Sequence, residues 1–414
     1  MNEAKQKFRL TSLERAWILY DVGNSAFVLL VATLIPIFFN ALAEGGGLSS
    51  VEYLAYWGYA ASAVTVITAV LSPILGTLAD TRNFKKPIFT FCVAVGVIGC
   101  CAMGMASTWL PFLLIFIFAK VGFSGSLVFY DSMLSDVTVP DRMDEVSSKG
   151  YAWGYIGSCV PFVVCLALVL GAGSIGISQM TALNLALFIT ATWWLVTTLP
   201  LLRQYKQEHF VEVQEHAIRQ SFARIGHTLR HLKEDRQVFW FLLAFFCYID
   251  GVYTIIDMAT AYGTALGLDT TGLLLALLVT QIVAFPSALV FGRLSGQYPS
   301  GTLIPVCIAA YAGIALFAFF LKHQWQFWVL AVVVGMFQGG IQALSRSHFA
   351  KIIPPEKSGE YFGLFDICGK GASFLGTMIV SVGSQLTGSA NVGVGSLIVL
   401  FIVGFVLFRV SDRK

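Results

Sequence analysis

Eight ionisable residues lie inside long apolar stretches of this 414-residue chain: Asp21, Lys120, Asp131, Asp250, Asp257, Arg346, Asp366 and Lys370. A charge at the centre of a bilayer costs about 2.5–3.5 kcal/mol on insertion scales, so each such residue needs a partner, a water-filled cavity or a task. Their spacing sorts them. Asp250 and Asp257 are two helical turns apart on one face, with Tyr253 and Thr254 between them. Asp366 and Lys370 stand four apart with the acid first, the order that favours a pair within one helix. Lys120, Ser124 and Asp131 share a face, as do Gln338, Gln342 and Arg346, and Asp21 shares one with Asn24 and Ser25. A carboxylate taken out of water without a fixed partner favours its neutral form. Asp21 and Asp250 are therefore candidate proton-exchanging groups. The planar fork of Arg346 suits a carboxylate or phosphate. With Asn24, Tyr253, Asp257 and Gln342 it makes a candidate binding face. Lys120, Asp131, Asp366 and Lys370 are candidate gating or ion-pair residues. The alternative for all of them is a set of buried ion pairs that lock helices together.

The elements that position these residues follow from composition. Hydrophobic residues make up 57% of the chain and charged ones only 12%, against about 25% charged in a soluble domain. That excludes a cytosolic enzyme, a disordered scaffold and a secreted disulfide module, and leaves a polytopic membrane protein. A net charge of +3 is too small to point to nucleic acid. The eight cysteines all fall in apolar runs without CxxC or Cys/His clustering, so no metal site, cofactor or disulfide framework is expected. No cleavable signal is expected at the N-terminus, and the first helix serves as the insertion signal.

Runs of about 20 apolar residues occur twelve times, at roughly 14–42, 52–79, 87–107, 109–135, 150–171, 179–201, 237–264, 270–295, 301–321, 326–350, 359–386 and 391–410. They lack the alternation of outer-membrane strands, so the expected class is all-α. Lys and Arg of the connecting segments fall on the side of the termini, with Lys322 alone on the other. The positive-inside rule then places both termini in the cytoplasm of a multi-pass protein of the cytoplasmic membrane. A mixed-charge stretch, 202–236, contains His209, His216, His227 and His231 and separates 1–201 from 237–414, six spans each. It reads as a solvated, partly helical linker against anionic head groups of membrane lipids, with a pH-sensing role for its histidines as the alternative.

The two halves echo each other. Tyr20-Asp21-Val22-Gly23 in span 1 matches Tyr248-Ile249-Asp250-Gly251 in span 7. Gly150-xxx-Gly154 at the start of span 5 matches Gly359-xxx-Gly363 at the start of span 11, and Gly76–Asp80 after span 2 matches Gly292–Gly296 after span 8. Duplicated units of this kind build transporters whose site lies near the midplane between the halves. The Gly-xxx-Gly pairs suit close helix packing. Gly369-Lys370 does not make a phosphate loop, because Gly363 is one residue too distant and Gly371 replaces Ser/Thr. No HExxH or GxSxG occurs, and no enzyme activity is expected.

Pro73-xx-Gly76-xxx-Asp80-xx-Asn83-xx-Lys86 resembles the signature between the second and third helices of the major facilitator superfamily, with Asn83-Phe84 where Gly-Arg is common. Asp80 is suited to holding a neighbouring helix in one conformation. Resemblance over nearly the whole chain is closer to one branch, the "unknown major facilitator" family that includes the autophagy-related vacuolar effluxers of fungi. It is carried by Tyr20–Phe27, Phe129-Tyr130-Asp131, Val146–Gly150, Tyr248–Val252 and Gly339–Ser347, with Val22-Gly23 where that branch usually has Trp-Ala. The resemblance implies twelve helices in two pseudo-symmetric bundles and alternating access. For the fungal members it implies export of amino acids. The expectation is thus a monomeric secondary transporter of a small organic solute such as an amino acid, short peptide or similar zwitterion, proton-coupled and exporting. The alternative is a lipid or lysophospholipid flippase of the same fold.

Overall fold

The computed structural model describes residues 9–212, 230 and 232–412. Twelve long helices account for them: α1 Ser12–Gly45, α2 Ser50–Ala79, α3 Lys85–Met103, α4 Trp109–Ser132, α5 Pro140–Leu170, α6 Gln179–Gln204, α7 Arg236–Ala265, α8 Thr270–Leu294, α9 Ser300–Phe319, α10 Gln324–Ile352, α11 Ser358–Thr387 and α12 Ala390–Ser411. Among the described residues the only extended pairing is an isolated bridge between Thr81 and Val211. Eleven of the helices are long and apolar enough to cross a membrane. The twelfth, α11, has 30 residues, about 45 Å at 1.5 Å per residue, which also suffices. Apolar side chains such as Phe91, Phe118, Ile98 and Val66 stand exposed on the outer surface, as a lipid-facing surface requires.

Local chemistry starts the helices where they start. Thr11 with Glu14 and Ser49 with Glu52 form capping boxes on α1 and α2, and Asp269 accepts from Gly272 N at the start of α8. Pro140 opens α5, where its missing N–H costs nothing. A break at Thr33 divides α1 into Ser12–Ala32 and Leu34–Gly45, and the Thr33 hydroxyl donates back to Leu29 O at 2.6 Å.

α1 packs on α5 and α6, and α3 on α4 and α6. In the second half α7 packs on α11 and α12, and α8 on α10. Two long seams join the halves, α2 with α11 and α5 with α8. Exchanging the halves maps one seam onto the other, since α2 corresponds to α8 and α5 to α11. Glycine permits the closest approach. A Cβ on Gly359 would fall 2.5 Å from the Gly76 carbonyl oxygen, and one on Gly363 would fall 2.7 Å from the Ser72 carbonyl oxygen. Both seams tighten at the end of the bundle where α1 begins and α12 ends, called the terminal end below.

Candidate functional site

A cavity of about 370 Å³ lies between the halves and is lined from both. α1 contributes Asp21, Asn24 and Ser25; α4 contributes Lys120 and Asp131. From the other half come Tyr253 and Asp257 of α7, Gln338, Gln342 and Arg346 of α10, and Asp366 of α11. The polar faces read from α1, α4 and α10 thus converge on one space. Lys120 and Asp257 line it from opposite halves, and the Lys120 ammonium sits 4.7 Å from the centre of the Phe123 ring. Asn24 turns its amide to its own helix, donating to Tyr20 O at 3.0 Å.

The floor of the cavity, towards the terminal end, is a charge cluster on Arg346. Its Nη1 donates to Asp131 Oδ1 at 3.0 Å and its Nη2 stands 3.5 Å from Asp21 Oδ2. Its Nε donates to Ser147 Oγ at 2.9 Å and its Nη2 to Ser147 O at 3.1 Å. Trp17, Tyr130 and Tyr151 surround the guanidinium, with ring centres 4.3–5.4 Å away. Tyr130 also donates its hydroxyl to Asp21 Oδ2 at 3.0 Å. The sequence suggested an arginine open to an anion. Here its donors are already engaged by carboxylates and Ser147, and it ties α10 to α1, α4 and α5.

Asp250, the second candidate proton-exchanging group, does not line the cavity as Asp21 does. It is fully buried behind the cavity wall, where its Oδ1 accepts from Gly376 N at 2.9 Å and from the Thr254 hydroxyl at 3.3 Å. It joins α7 to α11. Asp257 lies two turns further along α7 and is exposed to the cavity. Asp366 accepts from Ser72 Oγ at 2.8 Å across the α2–α11 seam. The Lys370 side chain, the other member of the expected pair, lies outside the described residues, as do His216, His227 and His231.

Below the cavity the seams close. Asp80 caps the start of α11, accepting from Gly359 N at 2.7 Å and Glu360 N at 2.8 Å. Those are free donors of a helix N-terminus, where a carboxylate is also favoured by the helix dipole. Lys85 lies between Asp80 and Asp136, at 3.8 and 3.7 Å, and donates to Ser358 Oγ at 2.8 Å. Beside the other seam α5 also meets α10, where Asp144 accepts from Ser347 Oγ at 2.6 Å and from Lys351 Nζ at 2.5 Å. Ser147, Asp144, Asp136 and the stacked aromatic rings were not identified as site residues from the sequence. The available signal was that Phe129–Asp131, Val146–Gly150 and Gly339–Ser347, distant in the chain, all meet here.

The chain as a whole resembles known proteins. A family profile described as "Vacuole effluxer Atg22 like" matches residues 12–141 and 135–414. The chain belongs to this family. The uncharacterized MFS-type transporter YxiO of Bacillus subtilis is 42% identical over 96% of this chain and 94% of its own length. Autophagy-related protein 22 of Coccidioides immitis is 25% identical over 65% of this chain, which spans only about half of that protein, 51%. Among solved structures, the human organic anion transporter MFSD10 superposes with a TM-score of 0.72 at 14% identity, covering 96% of this chain and 98% of its own. FucP, the fucose–proton symporter of E. coli, gives 0.72 at 16% identity in its outward conformation, covering 97% and 98%. The fold is therefore that of the major facilitator superfamily. The protein is a multi-pass MFS-type transporter, not an enzyme.

Proposed function

We propose that this transporter moves a small zwitterionic metabolite, an amino acid or short peptide, across the cytoplasmic membrane by proton-coupled alternating access, in the export direction. The observation that carries the substrate class is that Lys120 of one half and Asp257 of the other line the same cavity. A base on one half and an acid on the other match the carboxylate and ammonium of one zwitterion, and a ligand bridging them draws the halves together. Asn24, Tyr253 and Gln342 supply neutral polar contacts in the same space.

The proton site in this reading is the Asp21–Asp131 pair. Two carboxylates share one guanidinium. A proton on either balances the cluster and frees one bond of Arg346, which then becomes available to the substrate or to rearrangement. Asp250, walled off by α11, is the weaker candidate. The rigid units are 1–201 and 237–414, joined by 202–236. The terminal end faces the cytoplasm, because the loop Lys and Arg residues lie there. The closed seams then make this an outward-facing state.

The test is transport into liposomes that hold a pH-sensitive dye. Pools of amino acids, peptides, sugars and nucleosides are added and lumenal pH is recorded. A change in lumenal pH driven by an amino-acid or peptide pool, towards alkaline because entering solute exchanges for leaving protons, and lost in Asp21→Asn, is the expected result. Silence across all pools with folded protein overturns it. A lipid flippase then becomes the better reading. One observation favours that alternative: an apolar groove of about 270 Å³ among α2, α3 and α4, lined by Leu71, Phe91 and Phe118, shares Val128 with the central cavity.

A further inference from the structure

The segment after α6 does not leave the bundle directly. It runs along the terminal end as far as Glu212 and binds the gate. Val211 N donates to Asp80 O at 2.8 Å, and Arg82 N donates to Val211 O at 3.1 Å. Gln207 Nε2 donates to Ala79 O at 3.0 Å. Tyr205 donates its hydroxyl to Asp136 Oδ2 at 2.5 Å, and Lys86 Nζ reaches Tyr205 O at 3.4 Å. His209 uses two groups on one oxygen, its backbone N and its ring Nδ1 both 2.9 Å from Asp136 Oδ1. Asp136 in turn holds Lys85, and Lys85 holds Ser358 at the start of α11. A continuous chain of polar contacts thus joins the linker to the α2–α11 seam.

We propose that Tyr205–Glu212 is a latch on the terminal-end gate and that the proton on His209 sets its strength, so that acid on that side holds the gate shut.

The groups facing His209 give the sign. Asp136 faces it from the short helix Leu134–Val137, Glu356 from the turn before α11 and Glu208 from its own segment; Lys85 and Asp80 lie beyond Asp136. The bond to Asp136 raises the imidazole above its ordinary value of 6.5, against the opposing effect of burial. Burial pushes Asp136 up, but its bond to His209, the Lys85 charge and the Tyr205 hydroxyl outweigh it and hold it below its ordinary 3.8. Asp136 therefore stays ionised through the physiological range. His209 contributes fully below pH 6.5, and its charge-assisted share is lost as pH rises through the raised value. The neutral ring can still donate from Nδ1, so the latch weakens without disappearing.

The inference rests on alternating access but not on any substrate. Ser148 lies buried in the α5–α8 seam, its Cβ 2.9 Å from where a Cβ on Gly292 would stand. In the purified full-length protein, a Ser148→Cys reporter is alkylated by a water-soluble maleimide, and the modified peptide is quantified against time. At about pH 6 the added His209→Gln change should speed labelling about fivefold, a charge-assisted bond being discounted here for partial exposure. At about pH 8 the two rates should converge. His209→Lys should stay slow at both. Asp136→Asn, which removes the acceptor by a different route, should also abolish the pH-dependent ratio. An unchanged His209→Gln to parent ratio between the two pH values overturns the proposal. Failure of every variant to label overturns it too, because a released latch must expose the seam. A transport assay that identifies no substrate leaves both results interpretable.

Discussion

Replacing Arg346 by Lys isolates the geometry of the lock from its charge. Lysine keeps the cation, so Asp131 and Asp21 are not left buried without a counter-charge. Alanine would leave them so, at about 3–5 kcal/mol, and would confuse the reading. What lysine loses is the fork. Three hydrogen bonds leave Arg346 in three directions, two of them to Ser147. A single ammonium at the end of a flexible stem keeps the carboxylate and gives up the pair to Ser147. Bonds from a charged donor contribute about 1.5–3 kcal/mol each, so the closed state loses about 3 kcal/mol. That corresponds to about a hundredfold in the ratio of closed to open. A protein that is about 99% closed would become evenly divided. Spin labels at the exposed Asp141 and Gln297, one on each half at the terminal end, read this as a second, longer distance in double electron–electron resonance on nanodiscs. If Arg346→Lys gives the same distance distribution as the parent, water replaces the Ser147 bonds at no cost on opening. The claim that Arg346 holds the gate is then wrong.

Other substitutions probe the remaining parts of the site. Gly359→Ala should destabilise the closed seam by about 1–3 kcal/mol, because its Cβ would sit 2.5 Å from the Gly76 carbonyl oxygen and 2.8 Å from Asp80 Oδ1; the same spin-label pair should show the longer distance. Asp250→Asn weakens the bonds from Gly376 N and Thr254 and should lower thermal stability by about 1–2 kcal/mol while leaving the pH profile of transport unchanged. A flattened profile would restore Asp250 as the proton site. Lys120→Gln and Asp257→Asn should each weaken substrate binding at least about tenfold, with a coupled rather than additive double mutant, measured as ligand-induced thermal stabilisation. Additive losses would mean that no single substrate molecule spans the pair.

The all-helical class and the run of long apolar helices were legible from composition and hydropathy, because the bilayer leaves so few alternatives. Helical spacing also showed which residues share a face, and those of α1, α4 and α10 do border one cavity. Spacing does not say what lies opposite. Asp250 and Asp257 differ by only about 20° around α7 but by about 10 Å along it. That rise carries one behind α11 and the other into the cavity. Arg346 presented the same difficulty. Its stripe was visible, whereas its partners come from α1, α4 and α5, more than 190 residues away in sequence. The contact between His209 and Asp136 was further out of reach, since a mixed-charge linker gives no sign that it folds back on the bundle.

The composition of the gate bears on whether it can open at all. At least ten hydrogen bonds cross between the halves among the described residues: those of Arg346 with Asp131 and Ser147, of Asp144 with Ser347 and Lys351, and of Asp80 with Gly359 and Glu360, together with Lys85–Ser358, Ser72–Asp366 and Ser147–Ala343. At about 1 kcal/mol net apiece, losing all of them outright would cost about 10 kcal/mol and hold the seam shut. A carrier that cycles needs its states within a few kcal/mol of each other. The chemistry of the seam resolves this. Most of its groups are hydroxyls, backbone N–H and charged ends, which water satisfies once the helices part, and at Gly76, Gly359 and Gly363 the backbones meet with no side chain to withdraw. Arg346 is the exception. Its side chain is 3% exposed, and Trp17, Tyr130 and Tyr151 that ring it all belong to the first half, so parting the halves strips it of all three rings at once and leaves Asp21 and Asp131 without their shared cation. Opening therefore requires something at the Arg346 cluster that the rest of the seam does not, and the cavity above it is where a proton or a substrate arrives.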